Sequence, residues 1–386
     1  IVLKFSKNQI LNKIYSQFKI SPTTIPAVEL SKLGDGIFWN ISFHSIFDKK
    51  NPQSPLVNLD VKIDANTGEI LESKKYTIST YIDDGYLLDY IPNNSLLYKR
   101  QHIKNDNKYE SLWIYNTETG KRSKLYTSKD KIDSALFSPD GKYISLIEVN
   151  ESQADLYIIP MSDKMTYKIT PAEHLQPRLM KWKNDNIICF VNIDNEKCTL
   201  LSYDVNKNKT KVEFNLDKTI EDFDILNNKF LFIESDKDSL NKNIYITEDG
   251  LTLEKIDIGF KARFFDDNNI IYLKNMEKDD KNILHSYNLE NKDEQRSLDY
   301  NITNYFKLNK ENIAFIEKNT CNNNYTLTKY NVLENSIEPI AKITDDKIFY
   351  DSDEAKGYMS LSPPYDDNEK NTIYSIDLNS LNIIND

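Results

Sequence analysis

One short phrase recurs seven times between residues 112 and 378, and it limits the fold of this chain more than any single residue does. Each copy opens on an aliphatic residue, passes two variable positions to reach a Tyr or Ile, and often ends in Asn or Asp. The copies are LWIYN from Leu112, LYIIP from Leu156, LLSYD from Leu200, IYITE from Ile244, LHSYN from Leu284, LTKYN from Leu327 and IYSID from Ile373, spaced 40 to 46 residues apart. Short strands with a period of about 40–45 residues are the pattern of a β-propeller, one four-stranded blade per repeat. A single blade cannot bury its own faces, so it stacks on its neighbours.

A second element precedes each phrase, a tight turn followed by an apolar strand. Its copies are NNSLLYK at Asn93, DGKYISLIE at Asp140, NDNIICFVN at Asn184, NNKFLFIES at Asn227, NNIIYLKN at Asn268, ENIAFIEK at Glu311 and KGYMSLSP at Lys356. Further short strands lie ahead of each pair and after each phrase. Seven repeats of four strands predict a mainly-β chain, a seven-bladed β-propeller over residues 77–386. For the outer strand of the last blade two segments compete, the C-terminal Leu381–Ile384 and the upstream Tyr76–Thr80. The reading favours the C-terminal segment.

Ahead of the repeats the periodicity differs. Ser6 and Gln9 form a capping box, and Ile10, Leu11, Ile14, Tyr15 and Phe18 share one helical face, so residues 6–20 read as a helix ended by Pro22 and Pro26. From Ile37 the period becomes two, with Ile37, Trp39, Ile41 and Phe43 on one side. A second alternating strand, Leu59, Val61 and Ile63, runs into the turn Asp64-Ala65-Asn66-Thr67-Gly68, where Gly68 supplies a positive φ. Residues 1–76 therefore read as a small N-terminal α+β domain.

Two resemblances follow from these residues. The strand WNISF at Trp39–Phe43 and the stretch VKIDANTGEI at Val61–Ile70 resemble a PepSY-type domain. The resemblance implies an extracytoplasmic module that binds or restrains partner proteins, often peptidases. Phe137-Ser138-Pro139-Asp140-Gly141-Lys142-Tyr143-Ile144 is similar to the repeat of TolB-type (WD40-like) propellers, although only this repeat keeps the Pro-Asp-Gly turn. Elsewhere Asn-Asn or Asn-Asp replaces it, and Asn tolerates the left-handed conformation the turn needs.

Composition narrows the function. The net charge is −11, with 49 basic residues scattered among 60 acidic ones, whereas a nucleic-acid surface needs clustered Lys and Arg. No apolar run approaches the roughly 20 residues that cross a bilayer, so no transmembrane segment is expected within this chain. The apolar start IVLKF, opening on Ile, favours removal of something upstream of Ile1. With the PepSY resemblance this predicts an extracytoplasmic protein, secreted or membrane-anchored. Abundant Asn, Lys and Ile suggest an AT-rich genome, as in a low-GC Gram-positive bacterium such as a clostridium. Cys189, Cys198 and Cys321 read as free thiols, with Cys189 facing about residue 201 across a hairpin.

Catalytic signatures are missing from the sequence. There is no G-x-S-x-G elbow and no H-E-x-x-H, D-x-D-x-D-G, Walker or Rossmann motif. His44, His102, His174 and His285 read as exposed or satisfied hairpin residues, and Asp279-Asp280, Asp345-Asp346 and Asp366-Asp367 as solvated loops. No metal, cofactor or catalytic residue is predicted. The expected function is non-enzymatic: an interaction platform in the cell envelope with a protein partner, or the sensor ectodomain of a membrane-bound regulator. The alternative is a propeller hydrolase or lyase on polysaccharide or peptide, whose sign would be clustered inward carboxylates with raised pKa values. Candidate binding residues sit in loops between second and third strands and between blades: His102, Tyr109, His174, Gln176, Arg178, Asn322 and Tyr325.

Overall fold

The computed structural model describes residues 3–379, apart from 49, 93, 105–106, 152, 164, 170–174, 195–196, 236–238, 320–324, 344 and 362–370. Two compact units emerge. One combines Ile1–Gly85 with Thr303–Asp386, and the other is Tyr86–Ile302.

The first unit begins with helix α1 (Lys7–Phe18), closed at its start by the predicted Ser6–Gln9 capping box and at its end by Lys19 in the left-handed region. Four antiparallel strands follow in sequence order: β1 (Ala27–Leu33), β2 (Gly36–Ile46), β3 (Val57–Asp64) and β4 (Ile70–Thr77). Ile10 and Ile14 of α1 bury against Trp39, Ile41, Phe43, Leu59, Val61 and Ile63, the period-two residues read from the sequence. The turn after β3 is held by Asp64, whose Oδ1 accepts the N–H groups of Asn66 and Thr67 at 2.8 Å each, and Gly68 has φ +69°. Strand β1 is an element the sequence reading lacks.

The same unit holds two further sheets. One is built from Ile302–Lys307, Asn312–Lys318, Tyr325–Asn331 and Ser336–Ile343. The other is built from Ile348–Asp351, Lys356–Leu361 and Thr372–Asp377, with strand β5 (Ser79–Asp84) as its fourth member. The outer strand of the last repeat thus comes from upstream, where the sequence reading favoured 381–384, a segment outside the described residues. Ser79–Asp84 supplies a six-residue strand, five of whose residues pair with Thr372–Ile376, directly after β4, a short connection. Leu56 and Ile78 share one buried cluster with Ala314, Ile316, Leu327, Met359 and Tyr374, and the Tyr374 hydroxyl donates to Pro52 O at 2.6 Å. The helix-bearing segment is therefore packed on the last two repeats.

The second unit is a succession of antiparallel sheets spanning 86–128, 131–168, 175–216 and 220–298. The first three have four strands each and the last has seven. In that last sheet the strand Glu254–Phe264 serves two repeats. Its first half pairs with Lys242–Ile246 and its second half with Ile270–Leu273. Gly259 stands at the changeover, where a Cβ would lie 2.5 Å from Leu273 O. Every recurring phrase occupies the third strand of its repeat, and every preceding apolar segment the second. The Phe137–Ile144 turn forms as read, with Gly141 at φ +71° and Ser138 Oγ accepting the Tyr143 N–H. Asn227, at φ +56°, makes the corresponding turn without glycine. Aromatic rings fill the contacts between sheets, as in the Phe214–Phe230–Phe232 cluster.

Candidate functional site

The seven candidate binding residues fall into separate places. His102 and Tyr109 face each other across the hairpin of Ser95–Lys104 and Asn107–Asn116, their rings stacked at 4.7 Å. The alternation of the strands puts Arg100, Ser111 and Trp113 on the same face. The Ser111 hydroxyl lies 2.6 Å from His102 Nε2 and accepts the Trp113 indole N–H at 2.7 Å, while Arg100 covers the Trp113 ring at 5.1 Å. Burial, then the charges of Arg100 and Lys124, hold the His102 pKa below its ordinary value. At neutral pH this imidazole is uncharged.

Gln176 and Arg178 lie on the first strand of the 175–216 sheet, on another element. Arg178 takes a positive φ of 68° at an irregularity in the ladder and donates back to Asp133 on the preceding sheet at 3.3 Å. Tyr325 opens a third strand in the other unit. Its hydroxyl pKa is raised, first by burial and then by the charges of Asp346 and Asp345. His174 and Asn322 lie outside the described residues.

Asp345 and Asp346 depart from the solvated-loop reading. Both are half-buried, and Asp345 is held above the ordinary carboxylate range by burial first, then by the charge of Asp346 and a hydrogen bond with it. Asp279 and Asp280 sit in a turn, as read, and Asp366 and Asp367 lie outside the described residues. Two histidines take the enclosed side of their reading rather than the exposed one. His285 is buried, with Nδ1 2.9 Å from Glu294 Oε1 and its ring stacked on Tyr272. His44 is largely enclosed, and burial lowers its pKa. Cys189 pairs across the ladder with Ser202, one residue from expectation, and Cys198 with Ile193. Burial pushes both thiols up to about 12, which keeps them protonated and poorly nucleophilic. Cys321 lies outside the described residues.

The sequence reading missed a chain of charged residues along the first strands of the second unit. Asp89 Oδ2 accepts the Phe137 N–H at 2.7 Å, linking the 86–128 and 131–168 sheets. Lys181 donates to Asp224 at 2.9 Å, linking the next two. Asp224 Oδ2 in turn accepts the Phe264 N–H, and Arg263 pairs with Asp222 at 2.7 Å. Burial, reinforced by Arg263, lowers the Lys181 pKa against the opposing pull of Asp224 and Asp222. Asp89 has no cationic partner among the interactions that set its pKa, and burial pushes it up to about 6 despite two backbone N–H groups. Among the described residues, no three His, Cys, Asp or Glu side chains gather into a metal-binding group.

Four-stranded antiparallel repeats in sequence order, joined first strand to first strand, have counterparts among solved structures. The β-propeller domain of the trilobed protease from Pyrococcus furiosus superposes with a TM-score of 0.58 at 18% identity, over 76% of this chain and 96% of that one. The fold is a β-propeller. An oligogalacturonate lyase in complex with manganese matches the propeller with a TM-score of 0.57 at 9% identity, covering 91% of this chain and 96% of the lyase. The oligogalacturonate lyase of Vibrio parahaemolyticus matches at 0.54 and 11% identity, over 83% and 96%. No family model matches the sequence, and no curated protein does. At these identities the likeness establishes the fold of the propeller and leaves its chemistry to its own residues.

Proposed function

We propose that this chain is a non-enzymatic binding protein acting outside the cytoplasm. In this reading residues 77–386 form a seven-bladed propeller that serves as the interaction platform, and residues 1–76 form a PepSY-like module that restrains or senses a protein partner. The observation that carries the reading is the use made of first-strand carboxylates. Asp133, Asp222 and Asp224 are paired with Arg178, Arg263 and Lys181 of a neighbouring repeat, so their charges join repeats instead of standing free to move protons. The seven phrases on seven third strands support the blade count. The stretch Val61–Ile70 and the Phe137–Ile144 turn support the two resemblances and, through the first, the extracytoplasmic location.

A second reading, a hydrolase or lyase, is favoured by Asp345 beside Asp346 and by Asp89 near pH 6, since catalytic acids are tuned upward in this way. The test compares partner capture with turnover. Because Leu56 and Ile78 are shared with the last repeats, the bait is the whole chain rather than fragments. Cross-linked capture from an envelope fraction uses wild type, Leu33→Glu on exposed β1 and Ile103→Glu at the exposed hairpin tip. One abundant partner lost with one of these variants supports the scaffold. Absence of any partner, together with turnover of a polysaccharide or peptide that Asp345→Asn abolishes, overturns it.

A further inference from the structure

Between the 131–168 and 175–216 sheets lies a cleft of about 490 Å³ that none of the pairings above uses. Its origin is a shortened strand. The fourth strand of the 131–168 sheet is Tyr167–Lys168, two residues long, where its neighbours in the same position are Arg122–Ser128 and Lys209–Leu216. Met161, Ser162, Asp163 and Tyr167 therefore border an open space instead of completing the ladder. Three tyrosines, Tyr143, Tyr167 and Tyr203, line that space together with Pro160.

Two of the three rings are fixed in place. Tyr143 pairs across the ladder with Pro160, and its ring stacks on Trp182 at 6.3 Å. The Tyr203 hydroxyl donates to Asn208 Oδ1 at 2.8 Å, which orients the phenol and occupies the amide oxygen. Tyr167 is 45% exposed and forms the outer wall. The polar groups are few. Asp163 contributes a carboxylate whose Oδ1 already accepts the Met165 N–H, and Asn208 contributes its amide. Lys142 also borders the cleft, but its ammonium is held at 2.8 Å by Asp140.

We propose that this cleft binds an uncharged oligosaccharide of two or three sugar units. The volume lies within the range of about 300–1,000 Å³ usual for small-ligand sites. Tyrosine faces suit the C–H faces of pyranose rings, and the Asp163 carboxylate and the Asn208 amide N–H supply an acceptor and a donor for sugar hydroxyls. The charge pattern decides between sugar classes. Among the described residues of the lining, Lys142 is paired with Asp140 and the other charge is the Asp163 carboxylate, a balance that disfavours a uronate, a sulfate or a phosphate. That sets it apart from a site for oligogalacturonate, the polyanion named for two similarly folded lyases. A proline-rich peptide fits less well, because such peptides are held by an outward indole N–H and the Trp182 indole is spent on Leu136 O and Ser145. The inference goes beyond the scaffold reading, and the two fail separately because one concerns a sugar and the other a protein partner.

The test is calorimetric titration of the full chain with cellotriose, laminaritriose, chitotriose and trigalacturonate, each to about 10 mM, the weak end of specific affinity. Quenching of Trp fluorescence is followed in parallel. At least one neutral trisaccharide should bind, and Tyr167→Ala, on an exposed ring whose loss leaves the core intact, should weaken it about tenfold, as expected for one stacking contact. Tyr203→Phe keeps the ring and should cost less. Failure of all three neutral sugars overturns the proposal. So does binding of trigalacturonate alone, or neutral binding that Tyr167→Ala leaves unchanged.

Discussion

Asp89 offers the sharpest test of how the first strands work. Its carboxyl is moved from 3.8 to about 6, with burial the largest cause. A shift of one in pKa is worth about 1.4 kcal/mol, so the full displacement corresponds to about 3 kcal/mol, and solvent reaching a half-buried group trims that to about 2 kcal/mol. The sign follows from linkage. The folded pKa is raised above the unfolded one, so the stability Asp89 contributes is fully present below pH 3.8 and is lost as pH rises through about 6. Asp89→Asn removes the charge and keeps an amide oxygen for the Phe137 N–H. The variant should match wild type at pH 4 and exceed it by about 2 kcal/mol at pH 8, measured by urea unfolding at both pH values. A variant less stable than wild type at pH 8 would refute the reasoning, because the charged hydrogen bond to Phe137 would then outweigh the cost of burying the carboxylate. A variant that gains stability but loses partner capture or turnover would mark Asp89 as a group kept for function.

Two further substitutions probe the joints of the fold. Gly259→Ala should destabilise by about 2–3 kcal/mol, since the new Cβ meets Leu273 O, and Tyr272 beside it is fixed by a 2.5 Å bond to Asp257; an unchanged urea midpoint would contradict this. Tyr374→Phe should cost about 1 kcal/mol through the lost bond to Pro52 O. Hydrogen exchange in that variant should rise around residues 50–56, and unaltered exchange there would mean that the hydroxyl does not hold this segment.

What could be read from the sequence depended on how local the signal is. The second and third strands are legible because buried residues such as Leu146, Ile147 and Leu156 make apolar runs that turn residues interrupt. Helix α1 is legible through its capping box and its buried face. Strand β1 is not, because AVELSKL is exposed along most of its length and has no apolar alternation. Strand β5 pairs with residues nearly 300 positions away, and STYIDD carries no local sign of that partner. The His102–Tyr109 stack follows from hairpin register, so choosing those residues brought a real contact to light. Asp345 and Asp346 hid behind the ordinary rule that adjacent acids are solvated, which fails here because the loop enclosing them is set by tertiary packing.

The first-strand charges did leave a trace in the sequence, visible once the period is known. Lys181 and Asp224 are 43 residues apart, Asp222 and Arg263 are 41 apart, and Asp133 and Arg178 are 45 apart. Each separation is one repeat. Opposite charges at that spacing fall at matching heights on adjacent first strands, where a sheet-to-sheet contact brings them within bonding distance. Each pair alone is worth little in water, but Lys181–Asp224 and Arg263–Asp222 are partly buried and their carboxylates also accept the N–H groups of Phe264 and Phe223, so removing one partner strands the other's charge. The same spacing explains why Asp89 stands apart: one repeat on, its partner is the backbone of Phe137 rather than a cation. Burial raises the Asp89 pKa, and the main-chain N–H groups that oppose the rise do so without the help of a cation. Placing a lysine at Ser134 of the neighbouring first strand, where the side chain now has no partner for its hydroxyl, should therefore lower the Asp89 pKa toward the ordinary range. NMR titration of the Asp89 carboxyl reads the shift directly. A value still near 6 in Ser134→Lys would show that desolvation alone governs the group and that pairing across repeats does not reach it.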